Sequence, residues 1–238
     1  MLRQIIWYIY FVLYLIGTLP VLLYVNLLKR AGKTTKLDAI TFMIVKHWAK
    51  SLVHLAGGSI NVIGTENLPE EAVVFVGNHQ GNFDIPLFLG FIDKPKGFVA
   101  KIEMLKIPIV RSWMKHLNCV FMDRANIRQS VGVINEAVEL LKHGKSMIIF
   151  PEGTRSKGNH IGPFKAGSLK LAVKAGVPIV PIVLDGSFKL MEEYKRIRPA
   201  TVGLHICPPI STINLTKEEI SNLPERVRFI IEAKLKDK

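Results

Sequence analysis

The chain has 238 residues, of which 49% are hydrophobic, and its 32 Lys and Arg against 19 Asp and Glu give a net charge of +13. This length provides one large core and argues against a second catalytic domain, while the positive charge should attract nucleic acid, anionic lipid or phosphorylated substrates. The two cysteines, Cys119 and Cys207, form no paired motif, which argues against a disulfide framework or a structural zinc site and favours a reducing cytosolic setting.

The N-terminus is a long apolar segment. Residues 5–28 carry no charge, and as a helix they would be about 36 Å long, enough for a hydrocarbon core of about 30 Å. A nucleic-acid-binding protein does not need such a segment, and the basic residues 29–33 that follow are not a signal-peptide cleavage site. Gly17 and Pro20 interrupt the segment, so the sequence leaves open whether it spans the bilayer or lies within one leaflet.

Residues 37–55 predict a second, amphipathic helix. Their apolar side chains recur at three- and four-residue steps, and Lys46 and Lys50 occupy another face. The pattern fits packing on a globular core as well as binding to a membrane surface. If the first segment spans the bilayer, the four basic residues between positions 29 and 36 outweigh Arg3 and place the rest of the chain in the cytoplasm.

After residue 57 the chain alternates short β-rich runs with helical patterns. We predict strands at residues 60–63, 73–76, 97–100, 119–122, 147–150 and 177–184, and helices at residues 127–143, 163–176 and 216–238. This alternation indicates an α/β fold, with a mixed, largely parallel sheet flanked by helices and preceded by an N-terminal hydrophobic two-helix membrane-associating unit. The predicted division is a helical unit at residues 1–57 and an α/β domain at residues 58–238.

A histidine and an aspartate follow the predicted strand at residues 73–76. His79 lies five positions before Asp84, and Gly81 between them can let the chain bend so that the carboxylate reaches the imidazole. Such a pair can take a proton from a hydroxyl, because the carboxylate fixes the tautomer of the imidazole and stabilises its charged form. The alternative is a lone histidine followed by an aspartate that caps a helix.

A second polar segment, residues 150–156, follows the predicted strand at residues 147–150. It therefore lies where α/β sheets bind ligands. Arg155 offers a planar fork suited to phosphate, Gly153 lets the backbone approach a ligand closely, and Glu152 could hold the guanidinium in place. The alternative is a surface turn with an ordinary Glu–Arg pair.

Four segments in order resemble the sequence blocks of the glycerolipid acyltransferase family, and among its members those of the bacterial lysophosphatidic acid acyltransferases. The segments are residues 78–84, 121–124, 150–156 and 177–181, and the resemblance covers roughly residues 60–190. It implies that His79 is the catalytic base and Asp84 its orienting acid. The residues that it implies for binding the phosphate of the acceptor are Lys101, Arg124, Glu152, Gly153, Thr154 and Arg155. Asn118 stands where the second block usually opens with glycine, and asparagine tolerates left-handed backbone geometry better than most residues.

The resemblance also implies a reaction. An acyl thioester, acyl-CoA or acyl-ACP, would acylate the free glycerol hydroxyl of lysophosphatidic acid to give phosphatidic acid. The alternatives are an acyltransferase for another lysophospholipid or for glycerol-3-phosphate, and a non-catalytic lipid-binding protein of the membrane surface.

The expected partners are the phospholipid bilayer, lysophosphatidic acid and the thioester cosubstrate. We expect no cofactor, no metal ion and no nucleic acid, and the sequence leaves the oligomeric state open. The N-terminal helices would attach the protein to the cell membrane, with the catalytic domain on the cytoplasmic side.

Overall fold

The computed structural model describes residues 1–123 and 127–236. Its helices are α1 (Leu2–Gly17), α2 (Leu19–Arg30), α3 (Thr34–Ala56), α4 (Asp84–Phe91), α5 (Pro108–His116), α6 (Ile127–Lys142), α7 (Lys170–Ala175) and α8 (Lys217–Lys236). Its strands are β1 (Gly58–Ile63), β2 (Val74–Gly77), β3 (Lys96–Lys101), β4 (Val120–Met122), β5 (Ser146–Ile149), β6 (Ile179–Asp185) and β7 (Ala200–Ile206).

The strands form a single seven-stranded sheet in the order β1-β7-β6-β2-β5-β3-β4 across the described part of the chain. Among the strand pairs that the structure describes, β6–β7 alone is antiparallel, so the predicted mixed, largely parallel sheet is confirmed. In register, Val74 of the central β2 lies beside Met147 of β5 and Ile179 of β6. The carboxyl ends of these three strands therefore share one edge of the sheet, and the segments that follow them meet there.

Helices cover both faces of the sheet. Alternate residues of β2 point to opposite faces: Phe75 packs in the core shared with α3 and α4, whereas Val74 and Val76 pack in the core shared with α6 and α8. All four residues of β2 are buried, as are those of β5. Burial on both faces explains why these strands are continuously apolar rather than alternating.

The N-terminal segment is a helix that bends at Thr18, between α1 and α2. The stretch Leu2–Arg30 is long and apolar enough to cross a membrane, with 22% of its most apolar part buried. Its exposed aliphatic side chains are Leu2, Ile5, Ile6, Ile9, Val12, Leu13, Ile16, Leu19, Leu23 and Leu27, and Tyr8 and Tyr24 are exposed as well. The bent helix packs along α3, where Trp7 Nε1 donates to Leu52 O at 2.8 Å. The predicted apolar two-helix unit is therefore confirmed, and the domain boundary after residue 57 stays a prediction.

The helix predicted at residues 163–176 is wrong for its first half. The helix α7 spans only Lys170–Ala175. Backbone N–H groups before it bond to the loop after β5 instead: Gly162 N donates to the Glu152 carboxylate, and Lys165 N donates to Pro151 O. The apolar periodicity of the segment reflects burial against α6 rather than a continuous helix.

The strand β7 was not predicted. Its residues alternate between buried and partly exposed positions, and Gly203 and His205 dilute its apolar character. It joins β6 to β1 and so extends the sheet beyond the predicted strands.

The sequence departure at Asn118 lies in a tight turn before β4. Asn118 adopts φ of 59°, which is the left-handed geometry that glycine and asparagine favour. The turn packs closely on β3, since a Cβ added to Gly97 would lie 2.6 Å from Asn118 O.

Candidate active site

His79 and Asp84 form a hydrogen-bonded pair at the carboxyl edge of the sheet. The chain leaves β2 at Gly77 and turns before α4 begins at Asp84. His79 Nδ1 lies 2.6 Å from Asp84 Oδ2, and the exposed fractions of the two side chains are 18% and 0%. Because Nδ1 faces the carboxylate, Nε2 carries the lone pair of the neutral ring. This arrangement can remove a proton from a hydroxyl that approaches Nε2.

Three hydrogen bonds hold the Asp84 carboxylate in place. Besides the contact with His79, Oδ2 accepts the Gly81 N–H at 2.8 Å. The Ser187 hydroxyl donates to Oδ1, and Ser187 is fully buried in the turn after β6. Sequence reasoning missed Ser187, which lies 103 positions from Asp84; its place at the end of a strand was the only signal available.

Aromatic contacts fix the plane of the imidazole. The His79 ring stacks on Phe150 with ring centroids 4.2 Å apart and planes inclined by 19°. Phe88 makes a T-shaped contact with Phe150, with ring centroids 5.3 Å apart. Gly77 makes room for this cluster, since a Cβ there would lie 2.5 Å from Phe88 Cζ. The end of β5 thus orients the histidine that follows β2.

Glu152 joins the two polar segments, although not as predicted. Its carboxylate accepts the backbone N–H of His79 at 2.7 Å and that of Gly162 at 2.8 Å. Burial raises the pKa of Glu152, and the two N–H donors oppose that rise. The expectation that Glu152 holds the guanidinium of Arg155 is wrong: the Glu152 oxygens accept these two backbone N–H groups, and the guanidinium contacts Asn82 and Glu192 instead.

Arg155 lies against the loop that carries the histidine. Its guanidinium donates to Asn82 Oδ1 and lies 3.9 Å from Glu192 Oε1, and 39% of its side chain is exposed. The two loops also pair through their backbones, with Ser156 N donating to His79 O at 2.8 Å. The structure therefore brings His79, Asp84, Glu152 and Arg155 together and leaves a cation accessible beside the base.

The other predicted phosphate-binding residues differ in their surroundings. Gly153 has φ of 72° and faces the Lys165 side chain, and Thr154 is exposed in the same loop. Lys101 ends β3, on the same edge of the sheet, and its ammonium lies 2.7 Å from the carboxylate of Glu103. Arg124 lies outside the described residues.

A mainly apolar cavity of about 560 Å³ lies between the sheet and α6. Its walls include Val99, Ala137, Ile149, Phe150, Lys165 and Leu171. The volume falls within the range of about 300–1,000 Å³ that is typical of ligand pockets. Phe150 belongs both to the cavity wall and to the stack on His79, so one ring connects the cavity wall to the candidate base.

Comparisons with known proteins agree on one family. The sequence profile of the Acyltransferase family matches residues 59–185. A probable 1-acyl-sn-glycerol-3-phosphate acyltransferase of Mycoplasma pneumoniae is 34% identical over 201 residues, which cover 79% of this chain and 75% of that protein. The 1-acyl-sn-glycerol-3-phosphate acyltransferase of Borreliella burgdorferi is 31% identical over 198 residues, covering 82% of this chain and 79% of that protein.

A solved structure shows the same fold over nearly the whole chain. The crystal structure of the 1-acyl-sn-glycerophosphate acyltransferase of Thermotoga maritima superposes with a TM-score of 0.86 at 31% sequence identity. The match covers 99% of this chain and 94% of that one, so it includes the N-terminal helices as well as the sheet. His79, Asp84, Glu152 and Arg155 all lie inside the span of the family profile.

Proposed function

This chain belongs to the acyltransferase family, and from that membership we propose that it acylates the free glycerol hydroxyl of lysophosphatidic acid, giving phosphatidic acid. The donor is an acyl thioester, acyl-CoA or acyl-ACP. The observation that carries the proposal is the His79–Asp84 pair, with 2.6 Å between Nδ1 and Oδ2, beside the accessible guanidinium of Arg155.

The reaction needs one base and no covalent acyl-enzyme. His79 Nε2 takes the proton of the acceptor hydroxyl while the hydroxyl oxygen attacks the thioester carbonyl. Asp84 stabilises the imidazolium through Nδ1. When the tetrahedral intermediate collapses, the C–S bond breaks and the imidazolium returns its proton to the departing thiolate. The histidine is thereby restored for the next acceptor.

The phosphate of the acceptor is bound beside the base. Arg155 supplies the exposed guanidinium, and Lys101 and Arg124 add positive charge in this proposal. Glu152 and Gly153 shape the loop, and Thr154 can donate its hydroxyl. Holding the phosphate aims the glycerol hydroxyl at Nε2, which replaces a random encounter by an oriented one.

Replacement of Arg155 by alanine should raise the KM for lysophosphatidic acid by about 10- to 100-fold, because the phosphate loses a charged hydrogen-bond partner. The measurement is initial rate against acceptor concentration in mixed micelles, with the donor saturating. Arg228→Ala on α8 removes an arginine of equal charge that pairs with Glu225 instead, and should leave the KM unchanged. An unchanged KM in Arg155→Ala would remove Arg155 from the phosphate site.

The acyl chain of the donor occupies the cavity beside Phe150. Ala137 lines this cavity from α6 and is 1% exposed. Ala137→Phe should therefore lower kcat/KM for long-chain thioesters about tenfold more than for short-chain ones. Val131→Phe, on the outer face of the same helix with 55% exposure, is the matched control. An equal loss at every chain length would place the acyl chain elsewhere.

The N-terminal helices hold the site against the bilayer. Their exposed apolar side chains form a surface that suits lipid. On the inner side, the ring centroid of Trp7 of α1 lies 5.6 Å from that of Phe83, the residue before Asp84. Trp113 Nε1 donates to Thr18 Oγ1, and His116 bonds to Asn26. A helix docked along the domain in this way favours insertion into one leaflet, on the cytoplasmic face where the thioester arrives.

An acceptor panel tests the proposed function. Purified protein is given one acyl thioester and a series of acceptors, and the rate is measured as release of free thiol. Lysophosphatidic acid should be acylated fastest. Faster use of glycerol-3-phosphate or of another lysophospholipid would reassign the acceptor. Absence of thioester consumption with every acceptor would instead indicate a lipid-binding protein without turnover.

A further inference from the structure

A buried glutamate lies under the catalytic loop. Glu192 follows β6 and the turn Ser187–Leu190, and its side chain is 7% exposed. Its Oε1 accepts the backbone N–H of Asn82 at 2.7 Å. Its Oε2 has no hydrogen-bond partner within residues 1–123 and 127–236. A buried carboxylate oxygen without a donor costs folding free energy, so its presence at this place needs an explanation.

The carboxylate fits closely beneath the loop. A Cβ added to Gly81 would overlap Glu192 Oε2, so the loop between His79 and Asp84 approaches the glutamate as only glycine allows. Asn82 then links the two charged side chains: its N–H bonds to Glu192, and its Oδ1 accepts from Arg155. The same loop residue therefore holds both Glu192 and Arg155 in position.

Two charged side chains of the candidate active site act on Glu192. Arg155 lies 3.9 Å from Oε1, and Asp84 is the other charged group that acts on it. Burial raises the pKa of Glu192, Asp84 raises it further, and Arg155 opposes both. The guanidinium therefore has a carboxylate and an amide oxygen of the protein itself as partners.

We propose that Glu192 is a positioning residue that holds Arg155 before the lipid binds and competes with the phosphate of the lipid for the guanidinium. The inference rests on the proposed function, since it takes Arg155 as the phosphate-binding residue. The acceptor and the product carry the same phosphate, so competition by Glu192 weakens both. A resident carboxylate thus limits product inhibition at the expense of acceptor affinity.

Glu192→Gln tests this competition, because glutamine keeps an oxygen for the Asn82 N–H and removes the charge. The KM for lysophosphatidic acid and the inhibition constant of phosphatidic acid should both fall by about three- to tenfold. The KM for the thioester donor should stay unchanged, since the donor does not depend on Arg155. Glu193→Gln, one position along and exposed, removes an equal charge and should alter none of the three constants.

The possible outcomes separate the inference from the proposed function. A purely structural glutamate predicts a higher KM or a lower kcat in Glu192→Gln, with a lower melting temperature, and either result would overturn the inference. Unchanged acceptor and product constants would overturn it as well. If the unmodified protein acylates no lysophosphatidic acid at all, the proposed function fails instead.

Discussion

Replacement of His79 by alanine is expected to lower kcat by about 10³-fold, because the acceptor hydroxyl then has no base to take its proton. The KM for lysophosphatidic acid should change little, since the phosphate partners remain. The rate is measured as thiol release in detergent micelles and in vesicles. His143→Ala is the matched control, because His143 is exposed just after the C-terminal end of α6 and its ring bonds to the backbone O of Glu139.

Loss of the ring also removes the stack on Phe150, so the melting temperature of each variant must accompany its rate. A folded His79→Ala protein with activity within a few-fold of the unmodified one would exclude His79 as the base. A comparable loss in His143→Ala would show that the assay responds to stability rather than to chemistry.

Asp84→Asn should lower kcat by about 10²- to 10⁴-fold while the fold persists. The amide can keep all three hydrogen bonds: its oxygen accepts from His79 and Gly81, and its NH₂ donates to Ser187 Oγ. Ser187 permits this because its hydroxyl lies 3.0 Å from Gln80 Oε1 and can donate there instead. The substitution therefore removes the negative charge that stabilises the imidazolium, with little change in shape.

The control for Asp84→Asn is Asp93→Asn, which removes an aspartate that is 72% exposed and pairs with Lys46. It should leave kcat unchanged. If Asp84→Asn keeps more than about a tenth of the kcat of the unmodified protein, orientation by hydrogen bonds rather than charge would account for the role of Asp84.

Local patterns in the sequence were sufficient for the centre of the fold. The strands β2 and β5 are short apolar runs that are buried on both faces, so composition alone identifies them. The pairing of His79 with Asp84 was predictable as a local contact, because only four residues lie between them and Gly81 lets the chain turn back.

The remaining features depend on contacts between distant segments. Ser187 contacts Asp84 from 103 positions away, and Glu192 contacts Asn82 from 110 positions away. No periodicity or local motif predicts either contact. The same reason explains the error at residues 163–176. The backbone before α7 is held by contacts with another loop, where Lys165 N donates to Pro151 O and Gly162 N donates to the Glu152 carboxylate.

The docking of the N-terminal helices limits how a water-soluble form of the enzyme can be made. Deleting the first thirty residues would remove the exposed apolar surface, but it would also expose Phe83 beside the catalytic carboxylate. The indole N–H of Trp113 would lose its acceptor, Thr18 Oγ1. The shortened protein would therefore lose one exposed apolar surface and gain another, which adjoins the active site. Substituting polar residues at the outward positions of α1 and α2, such as Leu13 and Leu23, would lower lipid affinity and leave that lining intact.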